Sequence, residues 1–274
     1  MELHEEDSSA TPRAMLGRRL RRLREKAQLS QRGLASAVGY PHTYISRVER
    51  GDQLPSGALA EAFDTYFHTD GLFVELLALA QDGLIADYSR KIVAKESEAI
   101  RIQVFTSSLV PGLLQTEEYV RESFKLGLPS ENLPELDARV VVRKNRAGIF
   151  EREEPPLYWA IMDEVALLRG STSKEVMARQ IEHLIQMAER QNITLQVLPF
   201  SRGFHPMMGG SLTLLTLRDG STVALVESFD SGTGVESPKG VLSLIQRFDM
   251  ARSQALTTDE SLDLIRHYLK GYAK

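Results

Sequence analysis

The stretch Ser30 to Gly51, SQRGLASAVGYPHTYISRVERG, has the residues that two short helices meeting at a sharp turn require. Ser30 suits an N-cap, and Leu34, Ala35 and Val38 recur at the spacing that places them on one helical face. Gly39 then ends the helix, since glycine tolerates the left-handed backbone with which a chain reverses after a helix C-terminus. Pro41 fits the first turn of a second helix, where its missing N–H is no loss. That helix is expected to run to Arg50 and stop at Gly51. On it Ile45 and Val48 face inward, and the small Ala35 lets the two helix backbones approach. Thr43, Ser46, Arg47 and Arg50 face outward, a polar and cationic surface suited to bases and phosphates.

Outward from this pair, the flanks complete a five-helix unit. Leu16, Leu20, Leu23 and Ala27 share one face of a preceding helix, with Arg19, Arg22 and Lys26 along its flank. Pro55 and Ser56 open a fourth helix whose apolar surface is Leu59, Ala62, Phe63, Tyr66 and Phe67. A fifth, Gly71 to Gln81, carries Leu72, Phe73, Leu76, Leu77 and Leu79 around so much of its girth that it must close the core or meet another surface, such as a second subunit.

Charge follows the same division. Between Thr11 and Gly51 ten Lys and Arg face two Glu, a net of +8 in a chain whose total is −4. The pI of about 5.9 hides a basic footprint confined to one end, the electrostatic mark of a nucleic-acid contact.

In this register the pair resembles the helix-turn-helix of the XRE, or Cro/repressor-type, family, carried by Gln31, Leu34, Ala35, Gly39, Ile45, Glu49 and Gly51. The resemblance implies a lambda-repressor-like all-α fold and roles for named side chains. Gln31, at the start of the first helix, would hold a phosphate, as would Ser46, Arg50, Arg19 and Arg22. His42, Thr43, Tyr44 and Arg47 occupy the base-reading positions. Arg47 suits a two-bonded grip on guanine, and Thr43 a base edge or thymine methyl. For His42 a backbone or phosphate contact competes with base reading, and for Tyr44 partial burial with its hydroxyl on a phosphate does. Arg24 would pair with Glu49 and lock the first helix to the recognition helix, the alternative being a solvated arginine.

At 274 residues the chain suits two domains. Residues 1–12 read as a mobile acidic tail, 13–81 as the DNA-binding domain, 82–98 as a helical connector and 99–274 as an α+β regulatory or partner-binding domain. Without cysteine, disulfides, thiolate metal sites and cysteine nucleophiles are excluded. No run reaches the length of a membrane span and the acidic start is unlike a secretion signal, so a soluble cytoplasmic protein is expected.

In the second domain, strands are expected at Ile100 to Phe105, Leu157 to Met162, Ile193 to Leu198, Gly210 to Leu217 and Thr222 to Val226. Arg218, Asp219 and Gly220 form a hairpin turn between the last two. Helices are expected at Pro111 to Leu126, Leu136 to Glu151, Lys174 to Gln191, Val241 to Leu256 and Asp259 to Gly271, the second despite Val140, Val141 and Val142. The sheet is mixed or antiparallel.

This region resembles the domain fused behind XRE modules in actinobacterial regulators of the WhiJ-like or Scr-type antitoxin-like kind. It is carried by LVPGLLQTEEYV, the arginines 139, 143 and 146, MDEVALLRG, ITLQVLPF with the following Gly203, Phe204 and His205, and ALVES. The resemblance implies a transcription factor, with no catalytic role and no cofactor, often encoded beside a small protein that it counters. Three functions follow as expectations. The first is a sequence-specific regulator, a homodimer on a palindromic double-stranded operator, whose second domain senses a ligand or protein partner. The second is an antitoxin-like protein that neutralises a small neighbour-encoded protein and represses its own promoter. The third is an enzyme tethered to DNA. Asp163 and Glu164, with His205 in a glycine-flanked loop, are the residues an active site would draw on, but HExxH, a nucleophile elbow and a phosphate-binding glycine loop are missing from the sequence. Internal ion pairs or a partner surface suit them and the three arginines better. Residues Leu109 to Gln115 read as a turn into a helix, or as an interaction surface, and Trp159 as core.

Overall fold

The computed structural model describes residues 11–126, 133–169, 173–229 and 231–272. Residues 1–10, most of the segment read as a tail, lie outside the described residues. The chain divides into two compact units, residues 1–85 with 128–142 and residues 86–127 with 143–274.

The first unit is helical: α1 (Pro12–Lys26), α2 (Gln31–Val38), α3 (His42–Arg50), α4 (Gly57–Phe67) and α5 (Leu72–Asp82). Local chemistry sets the ends. Thr11, Ser30 and Ser56 each accept a backbone N–H of the first helical turn through the side-chain oxygen, so three helices start on hydroxyl caps. Gly39 (φ 76°) and Gly51 (φ 73°) terminate α2 and α3 in the left-handed region. Pro41 stands at the N-cap of α3, one position before the first helical turn in which it was expected. The N-terminus of α5 is held by Asp64, whose carboxylate accepts the N–H of Phe73 (2.9 Å) and of Val74 (3.1 Å). Leu16, Leu20, Leu34, Ile45, Leu59, Phe63 and Phe73 form a core sealed from solvent, with Phe63 and Phe73 meeting edge to face. Phe73, Leu77 and Ala80 of α5 close this core, and Val74 and Leu79 remain exposed. Ala138, on the helix α8 described below, is part of it too.

The second unit is built on one six-stranded mixed sheet. Its elements in chain order are α6 (Asp87–Lys95), β1 (Ala99–Thr106), α7 (Glu117–Lys125), α8 (Leu133–Ala147), β2 (Leu157–Asp163), α9 (Val165–Leu168), α10 (Lys174–Ala188), β3 (Ile193–Leu198), β4 (Ser211–Leu217), β5 (Thr222–Glu227), β6 (Gly232–Val235), α11 (Pro238–Gln254) and α12 (Thr258–Tyr272). The strand order is β3-β2-β1-β4-β5-β6, with β1, β2 and β3 parallel and the remainder antiparallel. Alternation along each strand sends Ile102, Tyr158, Leu195 and Leu225 into one core and Phe105, Ile161, Leu198 and Ala224 into the other. Ile265 of α12 and Ile181 and Leu184 of α10 seal the first core, and Phe248 and Ala251 of α11 the second.

Several expectations change. The segment read as a connector contains α6, whose buried Ile92 belongs to the sheet core, so α6 is part of the second unit. The first part of α8 belongs instead with the helical unit, within a stretch that was assigned wholly to the α+β domain. The expected helix from Pro111 is broken. A 3-10 turn at Gly112–Leu114 is followed by extended Gln115 and Thr116, and α7 starts afresh on the Thr116 cap. The buried Gln180 stabilises that break, accepting from Thr116 N (2.7 Å) and donating to Leu114 O (2.8 Å). The helix read as Leu136 to Glu151 is α8 plus a terminal 3-10 turn, so its three valines are helical. The sixth strand, β6, had no sequence expectation.

Candidate DNA-binding site

The site begins with how tightly α3 is held to α1. At Gly17 a Cβ would fall well inside contact distance of the carbonyl oxygens of Val48 and Glu49, so glycine is what allows α1 to lie against the C-terminal turn of α3. Arg13 Nε donates to Gly51 O, capping that turn. Burial pushes the Arg13 guanidinium below its ordinary pKa, opposed by Asp52, Glu135 and Asp137.

Beneath the outward face lies a buried polar knot. Arg24 donates through Nε to Glu49 Oε1 (2.5 Å) and through Nη2 to Glu49 Oε2 (3.0 Å), while Nη1 reaches Leu29 O (2.8 Å). Side-chain exposure is 12% for Arg24 and 2% for Glu49, so the pair is desolvated and its geometry matters. The bonds to Glu49 raise the Arg24 pKa above its ordinary value. The amide of Gln31 donates to Glu49 Oε2 (2.7 Å). Gln31, read as a phosphate ligand, thus has its NH2 group engaged by Glu49, because α2 and α3 cross where the Gln31 side chain meets that carboxylate.

With Ile45, Val48 and Glu49 buried, His42, Thr43, Arg47 and Arg50 are presented to solvent. The Arg47 side chain has no hydrogen bond or ion pair among the described residues, and its guanidinium keeps every donor available. Arg50 bonds Ser46 Oγ (2.6 Å) and Asp52 Oδ2 (2.7 Å) on the surface, contacts weak enough to yield to a phosphate. Arg19 and Arg22 are exposed on α1. Tyr44 is half-buried, as one of the two alternatives left open for it has it. Its hydroxyl accepts from Ser56 N (2.8 Å) and lies 3.4 Å from Leu54 O, and its ring meets Tyr40 edge to face. It pins the turn after α3 to the helix, its hydroxyl engaged by backbone.

The residues singled out in the second unit are also placed. Asp163 Oδ2 stands 3.1 Å from His205 Nε2, and Asp163 Oδ1 accepts Val165 N. Met207 N donates to His205 Nδ1, which assigns the proton to Nε2, facing the carboxylate. Glu164 accepts from Tyr268 OH (2.8 Å) and Phe200 N (2.7 Å). The three residues thus tie the loops at the ends of β2 and β3 together. Arg139 pairs with Glu135 and Arg146 with Glu96, whereas Arg143 has no such partner among the described residues. Gln115 and Gln180 knit Leu109 to Thr116 as a turn. Trp159 is partly exposed, its indole N–H on Gln196 (2.8 Å) and Arg252 over its ring. No group of His, Asp and Glu among the described residues has the arrangement to hold a metal ion, and no described helix is long and apolar enough to cross a membrane.

Two family models match this chain. Residues 15–77, from inside α1 to inside α5, match a helix-turn-helix domain. Residues 89–267, more than half of the chain, match a domain of unknown function, DUF5753. The chain belongs to the DUF5753 family. Its helix-turn-helix domain is that of a DNA-binding regulator. Neither a curated protein nor a solved structure matches it. The DUF5753 match begins inside α6 and ends inside α12, so it takes in all six strands.

Proposed function

We propose that this chain is an XRE-type, sequence-specific transcriptional regulator that reads operator DNA as a homodimer, with its second domain receiving a signal from a ligand or protein partner. The observation that carries this reading is Arg47, an unengaged guanidinium on the outward face of a helix whose opposite face is locked by Glu49, Arg24 and Gln31. A rigid helix with a free donor fork is what recognition of guanine in the major groove needs. Thr43 and His42 flank it toward the N-terminus of the helix, where base contacts concentrate. Arg19, Arg22 and Arg50 supply the phosphate contacts that set register without reading sequence. One recognition helix spans few base pairs, and pairing two copies gives two half-sites about one helical turn apart.

In this reading the chain is a binder and not an enzyme, and the hydrogen bonding of Asp163, Glu164 and His205 into neighbouring loops supports a structural role for them. The antitoxin-like reading from the family resemblance is carried by no geometric observation. The test is selection of bound duplexes from a random pool with the full chain at two salt concentrations. An enriched, roughly palindromic motif is expected. Retention of DNA with no enrichment would reject sequence-specific reading.

A further inference from the structure

Between α7, the second part of α8 and one face of the sheet lies a cleft of about 610 Å³, all of whose lining residues belong to the second unit. The volume falls in the range of small-molecule sites, about 300–1,000 Å³. Its floor comes from alternate residues of β1 and β4, the positions whose side chains share one face, Thr106 among them, with Tyr158 of β2. The hydroxyls of both are buried without a hydrogen-bond partner among the described residues. Tyr158 is 2% exposed, so its unsatisfied phenol costs folding free energy unless something in the cleft answers it.

The charges around the cleft are unequal in their commitments. Arg146 and Glu96 close a two-bonded ion pair (2.9 and 2.7 Å) and neutralise each other. Arg143 and Glu227, which also line the cleft, form no ion pair with each other or with any other described residue. Arg143 lies against Gly112, where a Cβ would collide with its guanidinium, and over the ring of Phe124 at 5.5 Å. The ring contact and the close approach to Gly112 hold the cation, and Glu96 and Glu227 act on it only from beyond ion-pair distance. Burial lowers the Arg143 pKa to about 10, still protonated at neutral pH, and burial raises that of Glu227. Leu109, Val110 and Phe124 add apolar wall.

We infer that this cleft is a binding site for a small zwitterion of the amino-acid or short-peptide class bearing an apolar side group, its carboxylate on Arg143, its ammonium on Glu227, and the remaining donors and acceptors of those groups, or a peptide bond, on the Tyr158 and Thr106 hydroxyls. A simple anion would leave Glu227 unanswered and meet its repulsion; a simple cation would do the same at Arg143. An uncharged apolar guest would strand both charges and both hydroxyls. A zwitterion answers all four, and the guanidinium is shaped to take a carboxylate through two parallel bonds. The use of the site as a sensor rests on the regulatory reading above; its occupancy does not.

The experiment is titration calorimetry on the full chain without DNA, using a panel of the twenty L-amino acids and apolar dipeptides such as Leu-Phe, each compared with its N-acetyl and C-amide forms. At least one zwitterion is expected to bind saturably at millimolar concentration or below, with either capped form at least tenfold weaker. Arg143→Gln should abolish binding of the zwitterion with its circular dichroism spectrum unchanged. Tyr158→Phe should weaken binding several-fold and at the same time leave the melting temperature of the free chain unchanged or raised, a combination that a packing role for the hydroxyl would not produce. Equal binding of the N-acetyl form, or no binding by any member of the panel to folded chain, would overturn the assignment. The calorimetric result stands whatever the duplex selection gives. A shift in operator affinity on adding the bound zwitterion would then connect the two.

Discussion

The two halves of the molecule use arginine in opposite ways. In the helical unit a desolvated arginine, Arg24, is fully engaged by Glu49 and Leu29, and an arginine whose side chain is unengaged, Arg47, is exposed. In the sheet unit one cleft-lining arginine, Arg146, is engaged by Glu96, and the free one, Arg143, stands inside the cleft. The difference teaches that lack of a partner has a meaning set by surroundings. On a convex face it offers a contact to a large polyanion; in a cleft it fits a guest small enough to enter.

The largest expected effect strikes the engaged arginines. Glu49→Ala strands the Arg24 guanidinium, and Glu96→Ala strands that of Arg146. Each should cost about 3–5 kcal/mol in urea denaturation, the penalty of an uncompensated buried charge. A loss below about 1 kcal/mol for either would show that water reaches the pair, and would erase the distinction between engaged and free. Gly17→Ala, which drives a methyl into the carbonyls at the end of α3, should cost about 1–3 kcal/mol and weaken specific and random DNA together, because it displaces the whole recognition helix.

The free arginines should behave oppositely. Arg47→Ala is expected to leave the denaturation midpoint within about 0.5 kcal/mol of the parent. It should still cost about 1–3 kcal/mol on the selected operator, with choice relaxed at one base position. Equal losses on operator and random duplex would remove Arg47 from base reading. Arg19→Ala or Arg22→Ala should weaken all sequences alike and lower the slope of log K against log salt by about one, measured by fluorescence anisotropy. Smallest of all is the effect of Arg143→Gln on the free chain, within about 0.5 kcal/mol, since no native ion pair is broken.

The legible parts of the sequence were those whose physics is local. Ser30, Ser56, Gly39 and Gly51 announced helix ends because a cap acts within four residues of itself. The Arg218 to Gly220 turn joined β4 to β5 for the same reason. What the sequence left unread depends on partners far along the chain. The break before α7 depends on Gln180, and the hydroxyl of Tyr44 on the turn at Ser56. Gln31 finds Glu49 only once α2 has crossed α3. Strand β6, Gly-Thr-Gly-Val, has neither alternation nor bulk and exists because the edge of β5 was open to it. In the candidate site the outward face of α3 was readable from helical spacing. The solitary state of Arg143 was not, because it depends on which carboxylates the fold places out of its reach.

The strand order also bears on how the chain is made. β1 sits at the centre of the sheet, between β2 and β4, and β4 does not begin until Ser211, more than a hundred residues after β1 ends. On the ribosome, at about 5–20 residues per second, one edge of β1 therefore waits roughly 5–20 s for its antiparallel partner. During that interval Phe105, sealed in the finished sheet, lies on an unprotected strand, so the nascent sheet unit is at its most prone to self-association just before the β4–β5 hairpin appears.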